Sequence, residues 1–227
     1  MLFYSYNYYI INCLVFYMSH IILLIIELIG TVAFAISGAM IGLQKKMDVF
    51  GVTTLGVITA VGGGVIRDVV LGNTPPETFK NPIYGIVAIL TSLIVLIPKI
   101  RKFFDTRPLF FETFILLMDS LGLSVFVVFG IQTAVRELDN FNVYLLLFVA
   151  VISGTGGSIL RDVLAGNRPF IFVKHFYAMA CLIGAAICIG LWKFIGSANS
   201  MLIGAVVIFV LRICAAYFHW NLPAPKE

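Results

Sequence analysis

The segment GGGVIRDVVLGNTPP, Gly62 to Pro76, and the segment GGSILRDVLAGNRPF, Gly156 to Phe170, agree at eight of fifteen positions. Both close long apolar runs, so the chain contains an internal repeat. Working outward, the preceding runs match at an offset of 92, with Glu27 against Asp119 and Gly38 against Gly130, and the motif itself at 94. Apolar runs between polar or Pro-rich breaks predict helices near 21–43, 49–71, 83–98, 110–134, 143–165, 176–195 and 199–219. The repeat is therefore a three-helix unit, present twice, with a seventh helix appended. An odd number of spans forces the second copy to enter from the opposite side, which makes the repeat inverted.

Composition demands the same setting. The 227 residues are 61% hydrophobic and 11% charged with a mean hydropathy of +1.06, against an apolar share of about 45–50% in soluble domains. Seven spans of about 20 residues take roughly 140 residues, which leaves no room for a second soluble domain. Unbroken runs such as Ile21 to Ile36 lack the alternation of an outer-membrane barrel strand. The predicted fold is an all-α polytopic membrane protein of seven transmembrane helices. Its parts are an aromatic N-terminal extension (1–20), a first repeat (21–98), a basic cytoplasmic linker (99–109), an inverted second repeat (110–195), a seventh helix (199–219) and a tail (220–227). The extension lacks the basic start of a secretory signal. Ser19 and His20 are too few to turn the chain back into the bilayer, and translation starting at Met18 is an equal reading.

With alternating spans, Lys45, Lys46, Lys99, Arg101, Lys102, Arg107, Arg168, Lys174 and Lys226 collect on one side and Lys80, Arg136 and Lys193 on the other. The richer side is predicted cytoplasmic, which places the N-terminus outside and the C-terminus inside a prokaryotic plasma membrane. The net charge of +4 is explained by these loops, and nucleic-acid binding has no support. Membrane lipids are the expected contacts of the basic clusters, chiefly as topology signals. Cys13, Cys181, Cys188 and Cys214 lie apart in apolar stretches and read as packing residues, with neither a disulfide frame nor a metal site. His20, His175 and His219 read as interfacial side chains. No nucleophile triad, HExxH or Walker loop is present, and the glycine motifs lack a dinucleotide-fold context, so an enzyme is not expected.

The glycines Gly62, Gly63, Gly64, Gly156 and Gly157 weaken a helix by about 1 kcal/mol each relative to Ala. Breaks in the second and fifth spans are expected there, where exposed backbone dipoles could replace part of an ion's hydration; close helix packing is the alternative. Arg67, Asp68, Arg161 and Asp162 are charges at membrane depth, each costing ~2.5–3.5 kcal/mol on insertion scales. Neighbours on a helix point about 100° apart, so a crossed pairing of Arg67 with Asp162 and Arg161 with Asp68 is the simplest symmetric arrangement. Asp68 and Asp162 also suit the positive end of a half-helix, and the GNTPP and GNRPF tails stop helices. Glu27 and Asp119 are intramembrane carboxylates suited to attracting cations, carrying protons or pairing with an arginine. Gly38 with Gly42, echoed by Gly130 with Ala134, reads as helix packing. Arg212 is a third arginine at membrane depth.

LIGTVAFAISGAMIG, the two GG-x-x-x-RD motifs and the 3+3+1 layout resemble a prokaryotic member of the trimeric intracellular cation channel family, over essentially Ile21 to Trp220. The resemblance implies a homotrimer in which each subunit has its own pore for monovalent cations, mainly potassium, with no cofactor beyond the permeating ion. It also implies that Gly62, Gly63, Gly64, Gly156 and Gly157 kink pore helices and that Arg67, Asp68, Arg161 and Asp162 lie beside the pore. Ser158 replaces the third glycine of the second copy, which suggests a weaker kink. No KEV match is present, so phosphoinositide control of the kind found in animal relatives is not expected. A secondary transporter of a small solute such as glycine is the competing class, because inverted repeats describe carriers equally well. A structural membrane assembly protein is a third possibility.

Overall fold

A computed structural model of the chain describes residues 2–138, 140, 142–173 and 176–220, without the side chains of residues 1–20, 105 and 173. The helices are α1 (Leu2–Gln44), α2 (Val49–Val70), α3 (Glu77–Lys80), α4 (Ile83–Val95), α5 (Pro98–Asp105), α6 (Pro108–Glu137), α7 (Val143–Leu164), α8 (Phe170–Val173), α9 (Tyr177–Ile195) and α10 (Ser197–Tyr217). Six are long and apolar enough to span, and α4 with α5 forms a seventh candidate bent by 67°. The protein is a multi-pass membrane protein: α1, α2 and α4 form one repeat, α6, α7 and α9 the inverted second, and α10 the added helix. We call the end where α2 finishes upper and the end where α7 finishes lower.

Each repeat starts its second span in the same way. The Asp48 carboxylate accepts the Gly51 amide at 2.7 Å, and the Asn142 side-chain oxygen accepts the Leu145 amide at 2.7 Å. Both are N-caps, worth about 1 kcal/mol each. Each span stops alike too. Gly72 and Gly166 take positive φ, the Asn73 amide donates to the Asp68 carbonyl and the Asn167 amide to the Asp162 carbonyl, each at 2.8 Å. These are Schellman ends, in which glycine supplies the left-handed residue that other side chains resist.

The repeats meet on a pseudo-two-fold axis. Phe34 of α1 stacks on its own counterpart, Phe126 of α6, with ring centroids 5.4 Å apart. α2 also crosses α7, and here the glycines take the packing role that was the alternative to a break. Both helices run unbroken through Gly62–Gly64 and Gly156–Gly157, so no helix break stands at either motif. A Cβ on Gly63 would collide with the Ser153 carbonyl oxygen, and one on Gly157 with the Thr59 carbonyl oxygen. The missing side chains let two backbones touch, a reciprocal small-residue crossing, and that packing offsets the low helix propensity. Gly38 and Gly130 do the same for α1 on α2 and α6 on α7.

The expected linker at 99–109 is mostly the helix α5, which begins with Pro98 in its first turn, a position where proline's missing N–H costs nothing. Phe104 of α5 packs on Phe110, Phe111 and Phe114 of α6. At the other terminus α1 passes Ser19 and His20 without a turn. The side chains of 1–20, including Cys13, and residues Lys174, His175 and 221–227, including Lys226, lie outside the described residues, as do the expectations placed on them.

Candidate functional site

Each motif arginine sits near the end of its span, where the next short helix folds back over it. Arg67 Nε donates to Asp68 Oδ1 at 2.8 Å, and Arg161 Nε donates to Asp162 Oδ1 at 2.9 Å. The crossed pairing is therefore wrong: each arginine binds its own neighbour. The 100° between neighbours is overcome because guanidinium is long and the short aspartate turns back to meet its Nε face, while the motifs of the two repeats lie at opposite ends of the bundle. The second aspartate oxygen has a separate task. Asp68 Oδ2 accepts the Glu77 amide, the first of α3, and Asp162 Oδ2 accepts the Phe170 amide, the first of α8, both at 2.9 Å. The aspartates thus tie the returning segment to the span it has just left.

A tyrosine completes each set. Tyr84 at the start of α4 donates its hydroxyl to Glu27 Oε2 at 2.7 Å, and Tyr177 at the start of α9 donates to Asp119 Oδ2 at 2.9 Å. Six charged residues singled out by the repeat thus form two clusters, Glu27, Arg67 and Asp68 above, Asp119, Arg161 and Asp162 below. Sequence reasoning missed the tyrosines. They match at an offset of 93, between the 92 of the first spans and the 94 of the motif, so following the repeat past its shortened NRPF tail would have found them.

The lower cluster is sealed. Arg161 is 0% exposed; its Nη1 donates at 2.6 Å both to Asp119 Oδ1 and to Ser37 Oγ of the other repeat. The Phe170 ring lies 4.9 Å from its guanidinium carbon, and Ser158 Oγ lies within hydrogen-bond distance of the Tyr177 oxygen, at 3.0 Å. Burying so many charges is tolerated because each is ion-paired and hydrogen-bonded, although Arg161 Nη2 has no hydrogen-bond partner of its own among the described residues.

The upper cluster is open. Glu27 and Tyr84 are half-buried and Glu77 is exposed. A cavity of about 230 Å³ is lined there by Glu27, Arg67, Asp68, Glu77, Tyr84 and, from the other repeat, Gln132, Arg136 and Glu137. A narrow extension of about 20 Å³ reaches Thr31 and Gly64, room for a single water. Arg67 Nη1 is buried with no hydrogen-bond partner, because the position equivalent to Ser37 is Phe129. Four acids against two arginines line the cavity, which favours cations. Among the described residues no group of His, Cys, Asp and Glu is arranged to hold a metal ion.

The family model described as Glycine transporter matches residues 24–99 and 116–193. The UPF0126 inner membrane protein YadS of Escherichia coli K12 is 36% identical over 202 residues, 87% of this chain and 93% of that protein. The UPF0126 membrane protein YvgT of Bacillus subtilis is 32% identical over 205 residues, 88% and 94% of the two chains. Among solved structures, a prokaryotic TRIC channel crystallised in 0.5 M KCl superposes with a TM-score of 0.81 at 34% identity, covering 89% of this chain and all of that one. The TRIC orthologue from Rhodobacter sphaeroides gives 0.78 at 30% identity, covering 87% and 98%. The chain belongs to the family of the Glycine transporter model and of the prokaryotic trimeric intracellular cation (TRIC) channels.

Proposed function

We propose that the protein is a cation channel of a bacterial inner membrane, mainly for potassium, working as a homotrimer with one path in each subunit. The observation that supports this most is the acid-rich upper cavity, which ends on Arg67 and faces its sealed inverted copy across the bundle. In this reading a hydrated cation gathers in the cavity under the surplus of carboxylates, and conduction requires Asp119 and Arg161 to part. The path runs between the repeats, beside the glycine crossing. Residues Glu27, Arg67 and Asp68 form the upper mouth, and Asp119, Arg161 and Asp162 the lower gate. The charge bias of the loops supports an orientation with the upper end and the N-terminus outside and the C-terminus in the cytoplasm. The neighbours named as TRIC channels, one of them described as a trimeric intracellular cation channel, support both the cation and the trimer.

A carrier for a small zwitterion such as glycine is the second reading. It is favoured by the one-sided access, open above and sealed below, that an alternating-access protein displays, and by the description of the matching family model. Purified protein in planar bilayers separates the two. Unitary potassium currents whose reversal potential follows the potassium gradient support the channel; saturable glycine counterflow in liposomes without such currents overturns it.

A further inference from the structure

Arg212 on α10 is a charge at membrane depth that neither cluster accounts for, 2% exposed. Its guanidinium carbon lies 4.3 Å from the centre of the Tyr177 ring. That ring belongs to the lower gate: the Tyr177 hydroxyl donates to Asp119 and its oxygen lies 3.0 Å from Ser158 Oγ, and Asp119 in turn accepts from Arg161. A cation over a buried aromatic face is held by the ring quadrupole, so Arg212 fixes the plane of the ring and with it the direction of the hydroxyl. Among the described residues the first repeat has nothing equivalent, because α10 packs on α9 and α6 of the second repeat. Formal charge follows the same division. Asp119, Arg161 and Asp162 leave one negative charge, which Arg212 balances.

We propose that Arg212 is the positioning residue of the lower gate: it holds Tyr177, through Tyr177 it holds Asp119 against Arg161, and it thereby gives the seventh helix a role in keeping that end closed. The proposal rests on the lower cluster being the gate of the path inferred above.

Cys181 provides a native probe. It is buried one turn beyond Tyr177, and its thiol donates to the Tyr177 carbonyl at 3.4 Å. With Cys13, Cys188 and Cys214 replaced by Ala, proteoliposomes are exposed to a membrane-impermeant thiol reagent, and potassium currents are recorded in parallel. Arg212→Met is expected to speed Cys181 labelling about five- to thirtyfold, the range set by a buried cation–π contact, and to raise channel open probability. Arg212→Lys, which keeps a cation over the ring, restores most of the protection. Tyr177→Phe keeps the ring and removes only the hydroxyl; it should match Arg212→Met, and the double variant should gain nothing further. A wild-type labelling rate in Arg212→Met, or effects that multiply in the double variant, overturns the proposal. If Arg212→Met yields no folded protein, Tyr177→Phe decides alone, and an unchanged rate there overturns it. Labelling needs no current, so a protein that conducts nothing refutes the channel reading while the role of Arg212 is still decided.

Discussion

The upper and lower clusters are the same device in different company. Each has an arginine bound to the aspartate that follows it, a tyrosine on a span carboxylate, and a short helix tied to the second aspartate oxygen. Four exchanged side chains separate them. Below, Ser37 supplies an acceptor where Phe129 stands above, Ser158 a hydroxyl where Gly64 leaves space, Phe170 a ring over arginine where Glu77 faces the cavity, and Asp119 a shorter arm than Glu27. Inverted duplication supplied a symmetric scaffold, and which end is sealed is decided by what fills the space around each arginine.

The largest difference between the two ends should appear when an aspartate is removed. Asp162→Ala leaves Arg161 buried without one of its two carboxylates and is expected to cost about 3–5 kcal/mol, the usual result of unpairing a buried charge. Asp68→Ala leaves Arg67 beside a cavity that water can enter, so about half that loss is expected. Thermal unfolding in detergent measures both. Equal losses would mean that the two ends are equally dry, and the comparison would fail.

Next in size is the glycine crossing, which treats the ends alike. Gly63→Ala and Gly157→Ala each push a methyl group into a backbone carbonyl of the facing helix, and overpacking of that kind costs about 1–3 kcal/mol or more. At Gly64 the nearest neighbour of an added Cβ is Arg67 Nη2 at 3.7 Å, so Gly64→Ala should be neutral or stabilising by up to about 1 kcal/mol through helix propensity. Unfolding curves for the three variants check this. If instead Gly64→Ala stops ion flux while Gly63→Ala folds and conducts, these glycines act as hinges after all.

Much of this was legible in the sequence because a repeat reports on itself. The two GG-x-x-x-RD motifs, with Glu27 against Asp119, marked the inverted architecture and the six charges that the fold gathers into two clusters. What the glycines and arginines do was not legible. A glycine pair weakens a helix and also lets another helix approach, and only the facing partner, Ser153 or Thr59, decides between the two. Likewise the pairing of Arg67 depends on how its side chain bends, which spacing does not encode. Ser37 and Phe129 gave no local signal, and Arg212 stood out only as a charge at membrane depth, because their importance comes from contacts more than thirty residues away. Tyr84 and Tyr177 did leave one, a repeat match shifted by a single residue.

The smallest effect is the most informative about access. Ser158→Gly removes the hydroxyl that is hydrogen-bonded to Tyr177, a loss of about 0.5–1.5 kcal/mol for one hydrogen bond, and so should loosen the lower gate without unfolding the protein. Gly64→Ser places a hydroxyl where the upper cavity narrows toward Arg67, in space wide enough for it. Potassium flux into liposomes should rise about two- to tenfold in Ser158→Gly and fall in Gly64→Ser. In the double exchange the opposed changes act at separate ends of the bundle, so their free energies should add. Departure from additivity would mean that the two ends communicate through the α2–α7 crossing, where Gly63 and Gly157 lie against each other's helices. The gate would then belong to both repeats together.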